Sequence, residues 1–474
     1  MDEAPERARR ARSKPAPRAV YPGTALREPR EFSNTQLAER TGHRRAVEAA
    51  IWGMPIVAFD AMREAFFRDA GARFNDVCYL SAPADWKLQL TTPNASSRYV
   101  YVNFNTKDGP IVYEVPPAIG AGLFGSMNDA WQVPLVDVGP AGDDEGKGGK
   151  YLLLPPGYTE AEPSGYFTVR MNTYNGYSVL RAIPASPSDA DVAKALDLVK
   201  RIKLYPLSEA AHPPAQRYID ISGTVFDGIP RFDASFYERL ARMVLEETVQ
   251  PRDLVTMGQL RSLGIAKGEE FTPDAQMQEL LTHAIAEAHA GFMQDVLAVE
   301  SYWPVSHWGI PGSGSAVATA FTFETGDRLD LDERGMTFFL GCAPPKRLGA
   351  ASFYLWATHD SSDEALQGGD HYHLHIPPNV PVKQFWAVTV YDLETAGFIR
   401  ESPRIELNSY DEHMKTNEDG SVDVYFGPDA PAEKESNWIF TAEGRPWFAA
   451  FRFYGPGKAV ADKSWVLPGI EVMR

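Results

Sequence analysis

Arg98-Tyr99-Val100-Tyr101-Val102-Asn103-Phe104 alternates two kinds of side chain along seven residues. In an extended chain Tyr99, Tyr101 and Asn103 fall on one face, and Val100, Val102 and Phe104 on the other. That period of two marks a half-buried strand. Outward from it, Ile111–Val115, Lys150–Leu154, Phe167–Thr173 and Ser178–Ala182 are further short β-rich runs, separated by Gly, Pro and Asn. Several such runs at close spacing argue a β-sandwich between Val77 and Pro184. Upstream, Leu37, Val47, Ile51, Met54, Ala58, Met62 and Phe66 recur at helical spacing. Residues 33–70 are therefore expected to be helical, with a kink or break at Pro55.

Downstream the texture turns helical. Ser188, three residues before Asp191, forms a plausible capping pair for a helix running to about Leu204 and stopped by Pro206. Further helices are expected at 233–248 and 273–299, the second with Thr272 as N-cap and Pro273 preset for the first helical position. From Met336 the chain reads as β again: Met336–Cys342, Ser352–Thr358, His371–Ile376, Phe385–Tyr391, Val422–Phe426, Trp438–Thr441 and Trp447–Tyr454. Turn signals at Gly368-Gly369 and Asn417-Glu418-Asp419-Gly420 punctuate these runs. Short strands without intervening helices point to a two-sheet sandwich or jelly roll.

At 474 residues the chain is too long for a single ordinary core and suits two or three domains. The division expected is a basic tail at 1–32, a helix-plus-sandwich domain at 33–205, a helical segment at 206–330 and a final β domain at 331–474. The formal net charge of −17 argues against nucleic acid as a partner, because phosphate binding needs clustered positive charge. Cys78 and Cys342 are the only two cysteines; a disulfide framework and cysteine-based zinc spacing are both excluded. The longest nearly apolar run, Ala49 to Phe59, is interrupted by Gly53 and Pro55 and falls far short of the roughly 20 residues of a bilayer span. A soluble chain with no membrane span is expected. Residues 1–30 are rich in arginine and proline and read as a disordered tail. No apolar segment follows Arg9-Arg10, so the sequence as written implies a cytoplasmic protein, or a periplasmic one if the true N-terminus carries a leader.

Two stretches carry a family resemblance. The first holds Trp131-Gln132, Pro134, Asp137, the run Gly139-Pro140-Ala141-Gly142-Asp143, Gly146 to Leu152 and Pro155-Pro156-Gly157-Tyr158. The second holds Tyr372, Pro377-Pro378-Asn379-Val380-Pro381, Phe385-Trp386, Tyr391-Asp392, Asp419-Gly420-Ser421, Tyr425-Phe426-Gly427-Pro428, Asn437-Trp438 and Asp462-Lys463-Ser464-Trp465. Together they resemble bacterial proteins that join domain of unknown function 1254 to domain of unknown function 1214. The resemblance covers nearly everything after the tail. It implies a mixed, mainly β fold: an N-terminal immunoglobulin-like β-sandwich, a helical middle segment and a C-terminal jelly-roll-like β-sandwich. It carries over no reaction and no catalytic residues.

The sharpest local chemistry is His371-Tyr372-His373-Leu374-His375. In a strand, residues two apart share a face, so the three imidazoles project to one side. Histidine is the commonest ligand of metals such as zinc. At about 3.3 Å per residue, however, His371 and His375 lie roughly 13 Å apart, too far to grip one ion together. A neighbouring pair completed by His359 or Asp360 is the metal reading, with a divalent metal such as zinc as cofactor. A solvent-facing strand whose histidines merely pack is the alternative. Gly120-Ala121-Gly122-Leu123-Phe124-Gly125 matches G-x-G-x-x-G, yet it lacks the following helix that a dinucleotide site requires, and no nucleotide cofactor is expected. The glycine-rich Gly139–Lys150 reads as a loop between strands rather than a phosphate nest.

Arg170, Asn172 and Tyr174 would share one face by alternation, in a polar, aromatic stretch that continues to Arg181. Arginine clamps carboxylate or phosphate, so the three are candidate substrate-binding residues. Trp303 and Trp308, in the cluster Tyr302-Trp303-Pro304 and His307-Trp308, are further candidates because domain junctions concentrate pockets. No spacing singles out an acid/base carboxylate pair. The function expected is an enzyme of hydrolase or lyase type, metal-assisted if the histidines bind, acting on a small organic or glycan-like substrate in an interdomain cleft. A non-catalytic small-molecule, glycan-binding or surface-interaction protein is the alternative, and a homo-oligomer stays open.

Overall fold

The computed structural model describes residues 32–298, 300–304, 306–310, 314–347 and 352–473. The basic tail expected at 1–32 thus lies almost wholly outside the described residues. The chain divides into compact units at 1–41 and 42–474; the sheets, their cores and the site all belong to the second.

Helix α1 (Asn34–Asp69) runs through Pro55, so of the kink or break expected there the break does not occur. Proline removes the N–H that the carbonyl four residues earlier would accept. Here tertiary contacts hold the helix instead: buried Arg334 donates to the Trp52 carbonyl at 2.8 Å, and Gln132 Nε2 donates to the Pro55 carbonyl at 2.8 Å. Nearly every residue from Ala49 to Phe66 is buried, so the segment is held from all sides.

The first pair of sheets follows the alternation read from the sequence. A six-stranded sheet has the order Tyr218–Asp220, Val77–Tyr79, Arg98–Asn105, Asn175–Pro184, Ala121–Asp129, Pro134–Val138. A four-stranded sheet, Lys203–Pro206, Ile111–Val115, Gly149–Leu154, Phe167–Arg170, faces it. Val100, Val102, Phe104, Tyr113, Leu153 and Leu180 form the core between them. Helix α2 (Asp189–Val199) adds Ala195, Leu198 and Val199, and its N-cap is Ser188, whose side chain accepts from Asp191 N at 3.3 Å. It ends at Val199 rather than near Leu204, because Lys203–Pro206 pairs as a strand with Ile111–Glu114. The G-x-G-x-x-G run lies almost wholly in strand Ala121–Asp129, which pairs with Asn175–Pro184 along its length and with Pro134–Val138 from Gly125 onward.

The second pair comprises Ser352–Ala357, Trp447–Tyr454, Trp386–Asp392, Glu406–Asn408 in one sheet and Trp438–Phe440, Val422–Gly427, Tyr372–Ile376, Glu471–Val472 in the other. Leu355, Leu374, Val388, Phe426, Trp447 and Phe451 fill the space between.

Helices form the third core. These are α3 (Ser235–Glu246), α4 (Leu254–Arg261), α5 (Ala275–Leu297) and α7 (Leu331–Leu340), while the short α6 (Gly314–Ala318) buries Ala316 in a separate cluster with Phe323 and Phe338. Phe59, Phe66, Leu240, Ile285, Phe292 and Phe339 meet Tyr99, Tyr101 and Tyr177 from the first sandwich, and Tyr391, Phe448 and Ala450 from the second. Both sheets therefore turn an outer face toward this core. Buried Asp60 on α1 accepts from Arg63 at 2.5 Å and from Arg239 at 3.2 Å, and Arg242 pairs with it too, clamping α1 to α3.

Several expectations need correcting. Met336–Cys342 is not a strand: Met336 to Leu340 belong to α7, and Phe338, Phe339 and Leu340 are buried. A short, largely apolar run reads the same for either structure, and tertiary packing chose helix. Helix α5 is capped by Asp274, which accepts from Met277 N at 2.8 Å, rather than by Thr272. Helix makes up 27% and strand 26%, so the fold is mixed without being mainly β.

Candidate functional site

Cross-strand register assembles an unusual row on the outer face of the six-stranded sheet. Arg181 is the partner of Tyr99 on one side and of Phe124 on the other. Its guanidinium carbon lies 5.4 Å from the Tyr99 ring and 5.9 Å from that of Phe124, within cation–π range. Among the described residues no hydrogen bond or ion pair engages this guanidinium. The side chain remains partly exposed. A cation in an aromatic slot without a counter-ion is a binding group in search of an anion.

The facing row belongs to the second sandwich. Arg452 is flanked by Tyr354 and Ala387 in register. Its guanidinium lies 5.2 Å from the Tyr354 ring and donates to Thr389 Oγ1 at 2.7 Å and to the Tyr391 hydroxyl at 2.5 Å. Its Nε is buried without a partner. The Tyr391 hydroxyl in turn donates to the Pro93 carbonyl at 2.5 Å, and the Asn94 amide donates to the Tyr454 hydroxyl. The loop around Pro93 and Asn94 thus wedges the two faces together. Tyr454, Phe385 and the exposed Tyr410 stack in sequence, with centroids 4.0 and 4.9 Å apart, an aromatic path from solvent toward Arg452.

Burial raises the hydroxyl pKa of Tyr99, and of Tyr454 well above its ordinary value, although Arg181 and Arg452 at Tyr99 and Arg452 at Tyr454 oppose the shift. These tyrosines stay protonated at neutral pH, and both hydroxyls accept from Asn94, that of Tyr99 from its backbone N–H at 3.1 Å and that of Tyr454 from its side-chain amide. Burial lifts the Cys342 thiol to about 11 despite the nearby Arg181, so that sulfur is no nucleophile at neutral pH. The chemistry the junction offers is the partly exposed Arg181 guanidinium between the Tyr99 and Phe124 rings, braced by a buried Arg452 whose own hydrogen bonds are made within the protein. It suits a carboxylate or similar anion attached to a ring.

The residues singled out by sequence lie elsewhere. Arg170, Asn172 and Tyr174 do not share a strand face: the strand stops at Arg170, and 171–174 is a turn. The Glu247 carboxylate takes the Tyr174 N–H at 2.6 Å and the Asn175 N–H at 2.9 Å, which ends the ladder. Arg170 is exposed and ion-paired with Glu162, and the Asn172 carbonyl accepts from Thr248 and Gln250. Trp303 and Trp308 are fully buried in the second sandwich core, with Trp308 Nε1 donating to the Pro468 carbonyl at 2.8 Å.

The histidine strand is Tyr372–Ile376, so His371 falls just before it rather than within it. Tyr372, Leu374 and Ile376 point into the core, while His373 and His375 face outward. His373 Nε2 and His375 Nδ1 each lie 2.9 Å from the same Asp423 oxygen, and Asn417 donates to the other at 2.9 Å. Burial pushes the Asp423 carboxyl up, but these three hydrogen bonds outweigh it and hold the group down at about 2. His371 sits apart, 3.4 Å from Asp429. His359 lies in a different cavity, beside His307. Among the described residues no group of three or more His, Cys, Asp or Glu is arranged to hold a metal ion. In the glycine-rich loop, Asp144 accepts from Gly139 N at 2.7 Å and Gly148 N at 3.1 Å: the nest is filled by the protein's own carboxylate.

Sequence reading reached Arg181 only as the end of a polar stretch and Arg452 not at all. The available signal was a lone arginine in the otherwise apolar strand Trp447–Tyr454, since charged side chains are seldom buried unless paired.

Comparison with known proteins agrees with this architecture. The chain shares its fold with the VPA0106 protein of Vibrio parahaemolyticus, at 18% identity over 91% of this chain and all of that one, with a TM-score of 0.52. A putative uncharacterized protein from Burkholderia cenocepacia matches at 13% identity over 93% of this chain and 96% of the other, with a TM-score of 0.40. No curated protein matches. Residues 74–206 match the protein of unknown function DUF1254, and residues 351–458 the protein of unknown function DUF1214. The chain is a DUF1254–DUF1214 protein, as its motifs implied. The first match contains Tyr99, Phe124 and Arg181; the second contains Tyr354, Tyr391, Arg452 and Tyr454. Among the described residues no helix is long and apolar enough to cross a membrane.

Proposed function

We propose that this chain binds a small organic anion, carboxylate-bearing and glycan-like, in the junction between its two sandwiches. The observation that carries the reading is Arg181, held between Tyr99 and Phe124 with no carboxylate partner among the described residues. In a chain of net charge −17, an unpaired guanidinium at a domain junction favours an anionic ligand over acidic neighbours. Tyr99, Tyr354 and Tyr454 supply hydroxyls and ring faces around it. The immunoglobulin-like and jelly-roll assignments of the two sandwiches belong to the same proposal, as the scaffold whose outer faces meet here.

A catalytic version is favoured by one observation: the Tyr99 ring lies against the Arg181 guanidinium and the Tyr354 ring against that of Arg452. Neutralising a substrate carboxylate at a guanidinium acidifies the carbon beside it: solvent water takes that α-proton, the C–O bond β to the carboxylate breaks, and a tyrosine hydroxyl protonates the leaving oxygen and recovers its proton from the hydronium, which is lyase-type chemistry rather than hydrolysis by a carboxylate pair. The test is a thermal-shift and turnover screen of hexuronates and their oligomers against neutral hexoses. Stabilisation by the acids that is lost in Arg181→Ala, with any response to neutral hexoses left unchanged by that substitution, supports binding; appearance of an unsaturated product absorbing in the ultraviolet supports the lyase step. A response to the acids that survives undiminished in Arg181→Ala refutes the proposal.

A further inference from the structure

A second site, independent of the junction, lies where the end of α5 meets the edge strand Ser352–Ala357. A cavity of about 440 Å³ opens there, lined by Ser301, His307, Trp356, Thr358, His359 and Asp363 over a floor that includes Val296 and Leu297. That volume accommodates one or two sugar rings on the scale of ordinary ligand pockets. Trp356 is 8% exposed, and among the described residues its indole N–H has no acceptor. A buried donor left unpaired is costly, and at a cavity wall its acceptor can come from a ligand.

The other polar groups are arranged for hydroxyls rather than for an ion. His359 Nδ1 is engaged with Thr358 Oγ1 at 2.9 Å, which leaves Nε2 for the cavity. His307 Nδ1 lies 3.4 Å from Asp363 Oδ1, and the His307 and His359 rings are 6.4 Å apart. Asp363 is held at positive φ (65°) in a loop organised by Asp360, whose carboxylate accepts from Ser362 N at 2.8 Å and Glu364 N at 3.1 Å. Such strained positions cluster at ligand sites. The set offers one carboxylate and imidazole nitrogens as acceptors, an indole N–H as donor, and an apolar floor. Among the described residues no lysine or arginine lines it, so an anion has nothing to pair with.

We infer that this cavity binds a neutral polyol of monosaccharide size, its hydroxyls donating to Asp363 and His359 and accepting from Trp356 Nε1. The site is distinct from the arginine junction in ligand charge. It is linked to it by the strand that carries both Tyr354 and Trp356, two residues apart on one face.

The test is saturation-transfer difference NMR with methyl glucoside and methyl galactoside on the full chain, in wild type, Asp363→Ala, His359→Ala and Arg181→Ala. Asp363 has a largely exposed side chain, so its removal leaves the core intact. We expect saturation transfer to at least one glycoside in wild type and in Arg181→Ala, with the dissociation constant raised tenfold or more in Asp363→Ala and His359→Ala. Absence of transfer in wild type, or transfer unchanged by both cavity substitutions, overturns the inference. Loss in Arg181→Ala together with persistence in the cavity variants would also overturn it, by placing the sugar in the junction.

Discussion

The Tyr391 hydroxyl donates to the Pro93 carbonyl at 2.5 Å while accepting from Arg452 at 2.5 Å, so one phenol ties together segments 298 residues apart in sequence. Arg452, Tyr391 and Pro93 form a relay across the two outer sheet faces, and the relay places Tyr354 and Tyr454 opposite Arg181. Hydrogen bonds to charged groups contribute about 1.5–3 kcal/mol each. Tyr391→Phe removes both and keeps the ring. It is expected to lower stability by roughly 2 kcal/mol in chemical denaturation and to weaken anion binding at the junction. A variant as stable as wild type would show that the relay does not join the two faces.

Asp129 gives a pH signature. It is buried, accepts from Val133 N at 3.0 Å, and burial raises its carboxyl to about 7 despite that hydrogen bond and nearby Arg252. Its ordinary value is near 3.9. Between about pH 4 and 7 the native state therefore holds a proton that the unfolded state releases, and stability falls as pH rises through that window. Asp129→Asn keeps the acceptor and removes the titration. The variant should gain roughly 1–3 kcal/mol over wild type at pH 8 and little at pH 4. Denaturant midpoints at the two pH values measure it.

How much of this was legible in the sequence follows from particular residues. Ile111–Val115 and Trp447–Tyr454 match the expected strands to the residue, because alternation and flanking turns act within a few positions. The run Met336–Leu340 was illegible as helix, since so short and apolar a segment fits either structure until Phe339 is seen against Phe292. The candidate site was only half legible. Alternation was carried too far, to Asn172 and Tyr174, because the Glu247 carboxylate that ends the ladder is more than seventy residues away. Arg452 belongs to the site through Thr92 and, by way of Tyr391, Pro93, contacts that no local pattern encodes.

Asp423 has the opposite sign to Asp129. Its folded value of about 2 lies below the unfolded one, so its contribution is complete above about pH 4 and disappears as pH falls toward 2. Asp423→Asn should cost about 1–2 kcal/mol at neutral pH and flatten the acid limb below pH 4. If the two proteins unfold in parallel on acidification, the shared carboxylate oxygen does not hold His373 and His375.

The glycine-rich loop and the turn beyond it separate two kinds of glycine. At Gly148 φ is +70°, and an added Cβ would lie 2.5 Å from Pro117 N and 2.6 Å from Val115 O. Gly157 has a similar φ, +73°, but open space around it. Gly148→Ala should destabilise by about 3 kcal/mol or more, against about 1 kcal/mol for Gly157→Ala. Equal costs would mean that the loop around Asp144 yields to the methyl group.

The central claim is that Arg181 is the counter-ion of a carboxylate ligand. Titration calorimetry of a hexuronate, whichever stabilises wild type best, against wild type, Arg181→Ala, Arg181→Lys and Arg170→Ala tests it most directly. The account predicts wild-type affinity in Arg170→Ala, and losses of about 10- to 150-fold in Arg181→Ala, the equivalent of roughly 1.5–3 kcal/mol, with partial recovery in Arg181→Lys. Undiminished binding by Arg181→Ala, or loss in Arg170→Ala alone, would contradict it.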